Sequence, residues 1–128
     1  TVQDVEVTKD NSGIQGNTPI WVPEQQVSTW LNYQLTEGTM QGAQVGAGVR
    51  YIGKMQLDAA NSNTVPSATL VDLSMAYDLE NTSASLAGAS VRLSVSNALN
   101  ETYYSCYDAS NCWFGDERAF ELSGRYEF

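Results

Sequence analysis

The chain has 128 residues, the length of one domain, and it is acidic, with 15 aspartates and glutamates against 6 lysines and arginines. This balance excludes the nucleic-acid-binding class, because phosphate backbones are bound by clustered lysine and arginine. The absence of histidine from the sequence excludes catalysis by histidine-containing triads and histidine-ligated zinc. No apolar run approaches the roughly 20 residues of a transmembrane helix.

Alternation of apolar and polar residues predicts six β-strands of about ten residues each. In chain order they are roughly 1–8, 25–36, 42–53, 68–79, 88–98 and 117–128. Globular strands usually have about 5–6 residues, whereas strands that cross an outer membrane need about 9–11. The opening residues, TVQDVEV, are expected to end a strand already under way. The chain therefore looks like a piece of something longer or a matured product.

Most of these strands have one apolar and one polar face. The fourth places Leu73 and Met75 on the side opposite Ser74, and the fifth places Leu93 opposite Ser94. Apolar residues also fall on the polar side at three positions, Trp30, Ile52 and Leu70. Alternation alone fits a soluble antiparallel sheet with one face on a core equally well.

The lengths of the connections favour a membrane barrel. Residues 9–24, 54–67 and 99–116 form long connections, whereas 37–41 and 80–87 form shorter ones. All long connections therefore fall at one end of the sheet, as in transmembrane barrels with long external loops and short periplasmic turns. The aromatic residues are predicted near the two ends of the strands, where the interfacial girdles of a membrane barrel lie. Tyr33, Tyr77, Tyr126 and Phe128 are predicted near the short-turn end, and Tyr51 and Phe120 near the long-loop end.

The last long connection contains both cysteines, Cys106 and Cys112. They enclose a small polar loop, and a disulfide bridge could close it outside the membrane. The cell surface is oxidising enough to keep such a bridge. Two free cysteines in a reduced protein are the alternative interpretation.

The closing segment YSCYDASNCWFGDERAFELSGRYEF resembles the C-terminus of ferrichrome-type, TonB-dependent siderophore receptors of the bacterial outer membrane. NTPIWVPEQQVSTWLNYQL, then GAGVRYIG and DAANSNTVPSATLVDLSMAYDL, and then VRLSVSNALNETYYSCY resemble strand and loop segments of the same family. The similarity covers nearly the whole chain, in order and with matching spacing. Its most specific parts are Asn97 to Asn100, the two cysteines, and Trp113 to Arg118.

The resemblance implies an all-β fold, an antiparallel transmembrane β-barrel of about 22 strands around a plug domain. Residues 1–128 would be the C-terminal part of that barrel, about its last six strands, with the plug domain and earlier strands absent. The implied function is import of an iron–siderophore complex, a ferrichrome-like hydroxamate, across the bacterial outer membrane. Energy would come from TonB, which would contact an N-terminal region missing from this chain. Outer-membrane lipid is the other expected partner, and nucleic acid is not expected.

The family binds its ligand on aromatic residues high in the barrel and on external loops. The candidate ligand contacts on the last external loop are Tyr103, Tyr104, Tyr107, Trp113 and Phe114. Such rings supply contact area at small entropic cost and could pack against a hydroxamate chelate. They could also pack only among neighbouring loops. We expect no catalytic residue, no metal ligand and no cofactor bound by this chain, with the ferric siderophore as transported ligand.

Polar groups elsewhere are expected to be structural. Oxygens of Asp58, Asn61 and Asn63, or of Asp108 and Asn111, could hold calcium, but neither spacing matches an EF-hand, and solvated turns are favoured. Charged residues predicted to face the lumen should pair within the wall or against the plug, because an unpaired charge there is costly. They are Arg50, Asp72, Asp78, Arg92, Glu121 and Arg125.

Two other function classes remain open from the residues alone. One is a small soluble β-sheet binding module with one disulfide, although six open strands would leave two unpaired edges. The other is an outer-membrane enzyme, against which the missing histidine argues. A requirement for detergent would separate the membrane classes from the soluble one.

Overall fold

The computed structural model describes residues 2–38, 40–108 and 110–127, and for Tyr107 and Asp108 only the backbone. The described chain is all-β apart from two short 3-10 turns at Leu79–Asn81 and Ala84–Leu86. None of the helical turns in these ranges is long and apolar enough to cross a membrane.

The strands of the described ranges form one larger sheet and two hairpins. In chain order they are β1 (Gln26–Gln34), β2 (Gln44–Ile52), β3 (Met55–Gln56), β4 (Thr64–Val65), β5 (Ala68–Asp78), β6 (Ala89–Ser96), β7 (Tyr104–Asp108), β8 (Asn111–Phe114) and β9 (Ala119–Tyr126). The sheet has five strands in the order β1-β2-β5-β6-β9. β3 pairs with β4, and β7 pairs with β8.

The described chain divides into two compact units. The sheet unit comprises residues 29–49, 70–100 and 118 onward, and so holds most of the five-stranded sheet. The loop unit comprises residues up to 28, 50–69 and 101–117, and holds both hairpins. Few apolar side chains are buried in either unit: Val65, Ala68 and Cys106 in the loop unit, and Ala43 and Leu70 in the sheet unit.

The register of β5, β6 and β9 aligns the apolar face across three strands. Leu93 of β6 lies opposite Met75 of β5 and Leu122 of β9. Ser94, the next residue, lies opposite Ser74 and Glu121. Directly opposite residues of an antiparallel pair share a face, so the predicted apolar and polar faces are confirmed here. Leu93 and Leu122 are 41% and 73% exposed, so no protein core covers them in the described chain.

Trp30 breaks the alternation of β1, and the structure shows how the polar face accommodates it. Its indole Nε1 donates a hydrogen bond to Oδ1 of Asn32 at 2.8 Å. The ring lies over Gly46 and Gly48 of β2, where an added Cβ would come within 2.7 Å of a ring atom at Gly46 and would overlap the ring at Gly48. Real Cβ atoms essentially never come so close to a neighbour. The two glycines are therefore required beneath the indole.

The structure differs from the sequence prediction at the first strand. Residues 2–8 form no strand, and Thr1 lies outside the described residues. Val2 makes an isolated bridge with Gln25, whereas the Val7 N–H donates to the Asn17 carbonyl at 2.9 Å and the Val7 carbonyl accepts from Gly16 at 2.8 Å. Because these bonds go to scattered residues of the following loop, no continuous ladder forms.

The other predicted strands are present, and each end lies within two residues of the expected bound. The sequence pattern did not indicate the two hairpins or the 3-10 turns. The girdle prediction for Phe128 concerns a residue outside the described ranges.

Candidate functional site

The last long connection folds as a disulfide-closed hairpin of β7 and β8. Its register pairs Tyr104 with Phe114, Ser105 with Trp113, and Cys106 with Cys112. The Gly115 N–H extends the pairing by donating to the Tyr103 carbonyl at 2.7 Å. Aromatic residues favour strands because they pack well on a pleated surface. The structure joins Cys106 and Cys112 in a disulfide, which confirms the predicted bridge.

The hairpin separates the candidate aromatic residues onto two faces. Tyr104 and Phe114 share one face with the disulfide, and their ring centroids are 5.3 Å apart at an interplanar angle of 41°. Tyr103 and Trp113 lie on the opposite face, because side chains alternate along a strand. The Tyr103 ring covers Gly115, where an added Cβ would overlap it. The sequence did not predict this division, and the side chain of Tyr107 lies outside the described residues.

Two of the candidates have the most surface free for a ligand. Trp113 is 60% exposed and Phe114 is 73% exposed. Tyr104 is 39% exposed and is stacked against Phe114, and the half-buried Tyr103 packs on Gly115. Trp113 and Phe114 thus present aromatic area on opposite faces at one end of the hairpin, and Tyr104 packs against Phe114.

The loop unit also contains a tight loop at residues 57–63, whose Asp58, Asn61 and Asn63 are candidate calcium ligands in the sequence. Both carboxylate oxygens of Asp58 accept hydrogen bonds within the loop, from the Ser62 N–H at 3.0 Å, the Ser62 hydroxyl at 2.9 Å and the Asn63 N–H at 3.0 Å. The Ser62 N–H, followed by its hydroxyl, lowers the pKa of Asp58 below its ordinary value. Asp58 is thus a turn-forming acceptor, as the favoured interpretation expected.

Asn61 joins this loop to the earlier long loop. Its side-chain Oδ1 accepts from the Thr18 N–H at 2.7 Å, and its Nδ2 donates to the Thr18 carbonyl at 2.9 Å. Its backbone has a φ of 55°, a left-handed conformation that asparagine tolerates. In the part of the chain that the structure describes, no three histidine, cysteine, aspartate or glutamate side chains converge as metal ligands.

The most specific sequence stretches meet at a turn after β6. Asn97 is 2% exposed, and its N–H donates to Oδ1 of Asp72 at 3.0 Å. Asn100 accepts a hydrogen bond from the Arg118 N–H at 2.9 Å, and the Arg118 guanidinium lies 5.8 Å from the centre of the Phe120 ring. Both asparagines have positive φ. The NALN segment and Arg118 therefore form a hydrogen-bonded turn.

The predicted pairing of lumen-facing charges is observed in part. Arg125 forms an ion pair with Glu127 at 2.6 Å, and Asp72 accepts the Asn97 N–H. Arg125 thus has a charged partner two residues farther along the chain, and Asp72 has a backbone hydrogen-bond donor.

The fold and its surfaces together define a class of protein. One face of the sheet is apolar and exposed, the other carries hydrogen-bonded charges and a glycine-supported indole, and the connections alternate between long and short along the chain. This is the wall of a transmembrane β-barrel. The chain belongs to the TonB-dependent receptor-like β-barrel family, whose model matches residues 2–98.

Similar curated proteins are outer-membrane receptors and transporters. The chain is 43% identical over 117 residues to the ferrioxamine receptor of Yersinia enterocolitica, which covers 91% of the chain and 16% of that protein. It is 36% identical over its whole length to the ferrioxamine B receptor of Salmonella typhimurium strain LT2 and covers 18% of it. It is also 36% identical to the ferrichrome outer membrane transporter/phage receptor of Escherichia coli K12, covering 17% of that protein.

Solved structures show the same fold. The ferric preacinetobactin receptor BauA of Acinetobacter baumannii superposes with a TM-score of 0.81 over 96% of the chain and 18% of that protein, at 24% identity. The siderophore receptor PiuA of the same organism gives a TM-score of 0.74 at 25% identity, over 92% of the chain and 16% of that protein. The chain thus spans less than a fifth of the length of the relatives it matches. Like these receptors, it belongs to the bacterial outer membrane. Because these relatives are receptors and transporters, the prediction of a non-enzymatic protein is confirmed.

Proposed function

We propose that this chain is the C-terminal barrel segment of a TonB-dependent receptor that imports a ferric hydroxamate siderophore. The observation that carries the proposal is the match over the whole chain to receptors named for ferrioxamine B and for ferrichrome, both at 36% identity. Ferrioxamine B and ferrichrome are both hydroxamate chelates of ferric iron, so their shared chemistry defines the ligand class. TonB would act on a part of the receptor outside these 128 residues.

In this function the sheet unit forms part of the barrel wall, and the hairpin of β7 and β8 supplies contacts to the ligand. The apolar face, aligned through Leu93 and its neighbours on β5 and β9, meets lipid. Trp113, which is 60% exposed, would pack against the chelate, because flat rings bury much area at little entropic cost. Phe114 presents its ring on the other face of the hairpin. The disulfide would hold β8, which carries both rings, in register with β7.

The test is uptake of radioactive iron by cells whose only hydroxamate receptor is the full-length protein containing this segment. Ferrioxamine B and ferrichrome are supplied separately as iron complexes, with and without a functional tonB gene. We expect TonB-dependent uptake of at least one complex. Uptake of neither complex, in cells with the receptor assembled in the outer membrane, would contradict the proposed ligand class.

The same assay tests the hairpin residues. Replacement Trp113→Ala should weaken binding of the transported complex about tenfold or more, as truncation of a buried aromatic anchor does. Trp113→Phe keeps a ring and should retain most of the affinity. Ser105→Ala, at the position paired with Trp113, is the matched control and should behave as wild type. Equal affinity of the Trp113→Ala and Ser105→Ala receptors would remove Trp113 from the binding surface.

A further inference from the structure

A groove of about 610 Å³ lies in the apolar face of the sheet unit, where β2 runs between β1 and β5. Leu31 and Tyr33 of β1 line it on one side and Leu73 of β5 on the other, with Val45 and Ala47 of β2 between them. The groove exists because β2 carries smaller side chains than its neighbours on this face. Its rim residues Leu31 and Tyr33 are 73% and 66% exposed.

The dimensions of the groove suit a single hydrocarbon chain. Strands on either side of a central strand lie about 10 Å apart, which leaves between their side chains about the width of one extended acyl chain. The wall of a β-barrel is convex on the outside, so a second receptor would touch it along a line and would not enter a furrow one strand wide. Because this face of the protein lies in the outer membrane, the available apolar occupant is lipid.

The position of the groove along the strands indicates which leaflet of the outer membrane it faces. The groove residues of β1 lie near its C-terminal end and those of β2 near its N-terminal end, next to the connection between them. That connection is closed by reciprocal bonds near the turn, from the Leu35 N–H to the Ala43 carbonyl and from the Gly42 N–H to the Leu35 carbonyl, both at 2.8 Å. Short connections of outer-membrane barrels are periplasmic, so the groove opens into the inner leaflet, which consists of phospholipid.

We infer that the groove around Ala47 holds one acyl chain of an inner-leaflet phospholipid as a defined site. Tyr33, at the end of the groove closest to the turn, is suited to headgroup depth, where tyrosine is enriched in membrane proteins. Leu93 and Leu122, farther along the same apolar face, do not line this groove. Lipid there exchanges freely, whereas the chain in the groove is retained.

The test uses the full-length receptor in vesicles containing phosphatidylethanolamine with a photoreactive diazirine on one acyl chain. After illumination, lipid adducts are mapped by peptide mass spectrometry. We expect adducts to concentrate on β1 and β2 around Leu31, Tyr33 and Val45, above the level on β6 and β9. Replacement Ala47→Leu narrows the groove at its floor and should lower these adducts about tenfold, since losing two buried methylene contacts weakens binding by about that factor.

Val49→Leu is the matched control, because Val49 lies on the same face of the same strand and does not line the groove. This variant should keep the adduct pattern of the wild type. Both variants must reach the membrane in folded form, which heat-modifiable migration on gels reports. Adducts spread evenly over the apolar face, or an Ala47→Leu receptor labelled like the Val49→Leu receptor, would overturn the inference. Efficient disulfide-linked dimers of an Ala47→Cys receptor would instead identify a second copy as the occupant, and would overturn it too.

Discussion

Arginine at position 93 should prevent accumulation of the assembled receptor, whereas arginine at position 94 should leave most of it in place. Leu93 lies mid-strand on the apolar face, between Met75 and Leu122. A lipid-facing arginine near the bilayer midplane costs about 2–4 kcal/mol. At position 94 the new guanidinium faces the polar side, directly opposite Glu121, which can pair with it. The measurement is the amount of folded, heat-modifiable full-length receptor in isolated outer membranes.

A second pair on the neighbouring strand makes this test independent of one site. Leu73→Arg should behave as Leu93→Arg, and Ser74→Arg as Ser94→Arg, because their registers align through Val95 and Ser94. Leu93→Ala controls for loss of the leucine itself and should assemble normally. Equal loss of receptor in the leucine and serine series would show that the two faces are assigned wrongly.

A methyl group added at Gly48 should destabilise the wall as much as a core overpacking mutation does, by about 1–3 kcal/mol. The reason is the indole of Trp30, which occupies the space that the new Cβ needs. Gly124→Ala is the matched control, because the nearest atom to a Cβ there is the Ser90 carbonyl oxygen at 4.0 Å. Resistance of the folded full-length receptor to heating in detergent, read by gel migration, measures the difference.

The double variant Trp30→Ala with Gly48→Ala distinguishes a clash from a general effect of the added methyl group. Removal of the indole frees the space, so the double variant should be more stable than the sum of the two single changes predicts. Strict additivity would mean that Trp30 does not lie over Gly48 in the assembled receptor.

The faces of the sheet were predictable because side chains alternate with a period of two. A shift of one residue would turn the leucines of β5 and β6 to the polar side, so the pattern excludes every register that is shifted by an odd number of residues. The first predicted strand alternates equally well, yet its backbone bonds go to Gly16, Asn17 and Gln25. Alternation shows that a segment is compatible with a β-strand. It does not show whether another strand is available to pair with that segment.

The candidate site was predictable in location and not in geometry. Aromatic composition and the two cysteines mark the last long connection, where the sequence favoured a disulfide and left two free cysteines as the alternative. The pairing of Tyr104 with Phe114 decides which rings share a face of the hairpin. The hydrophobic pattern does not determine this register, because the loop is exposed on both sides. In the sequence, Trp30 is an unexplained apolar residue on the polar face of β1. The structure explains it, because Gly46 and Gly48 of β2 leave space for the indole.

The claim that this chain is the wall of a transmembrane barrel is tested most directly by spin labels placed one at a time at positions 90 to 95 of β6. In the full-length receptor reconstituted in bilayers, accessibility to oxygen, which concentrates in the membrane, is compared with accessibility to a water-soluble nickel chelate. A barrel wall predicts a period of two, with positions 91, 93 and 95 accessible to oxygen and protected from the chelate, and positions 90, 92 and 94 protected from oxygen. Chelate access at positions 91, 93 and 95, or a profile without alternation, would contradict it.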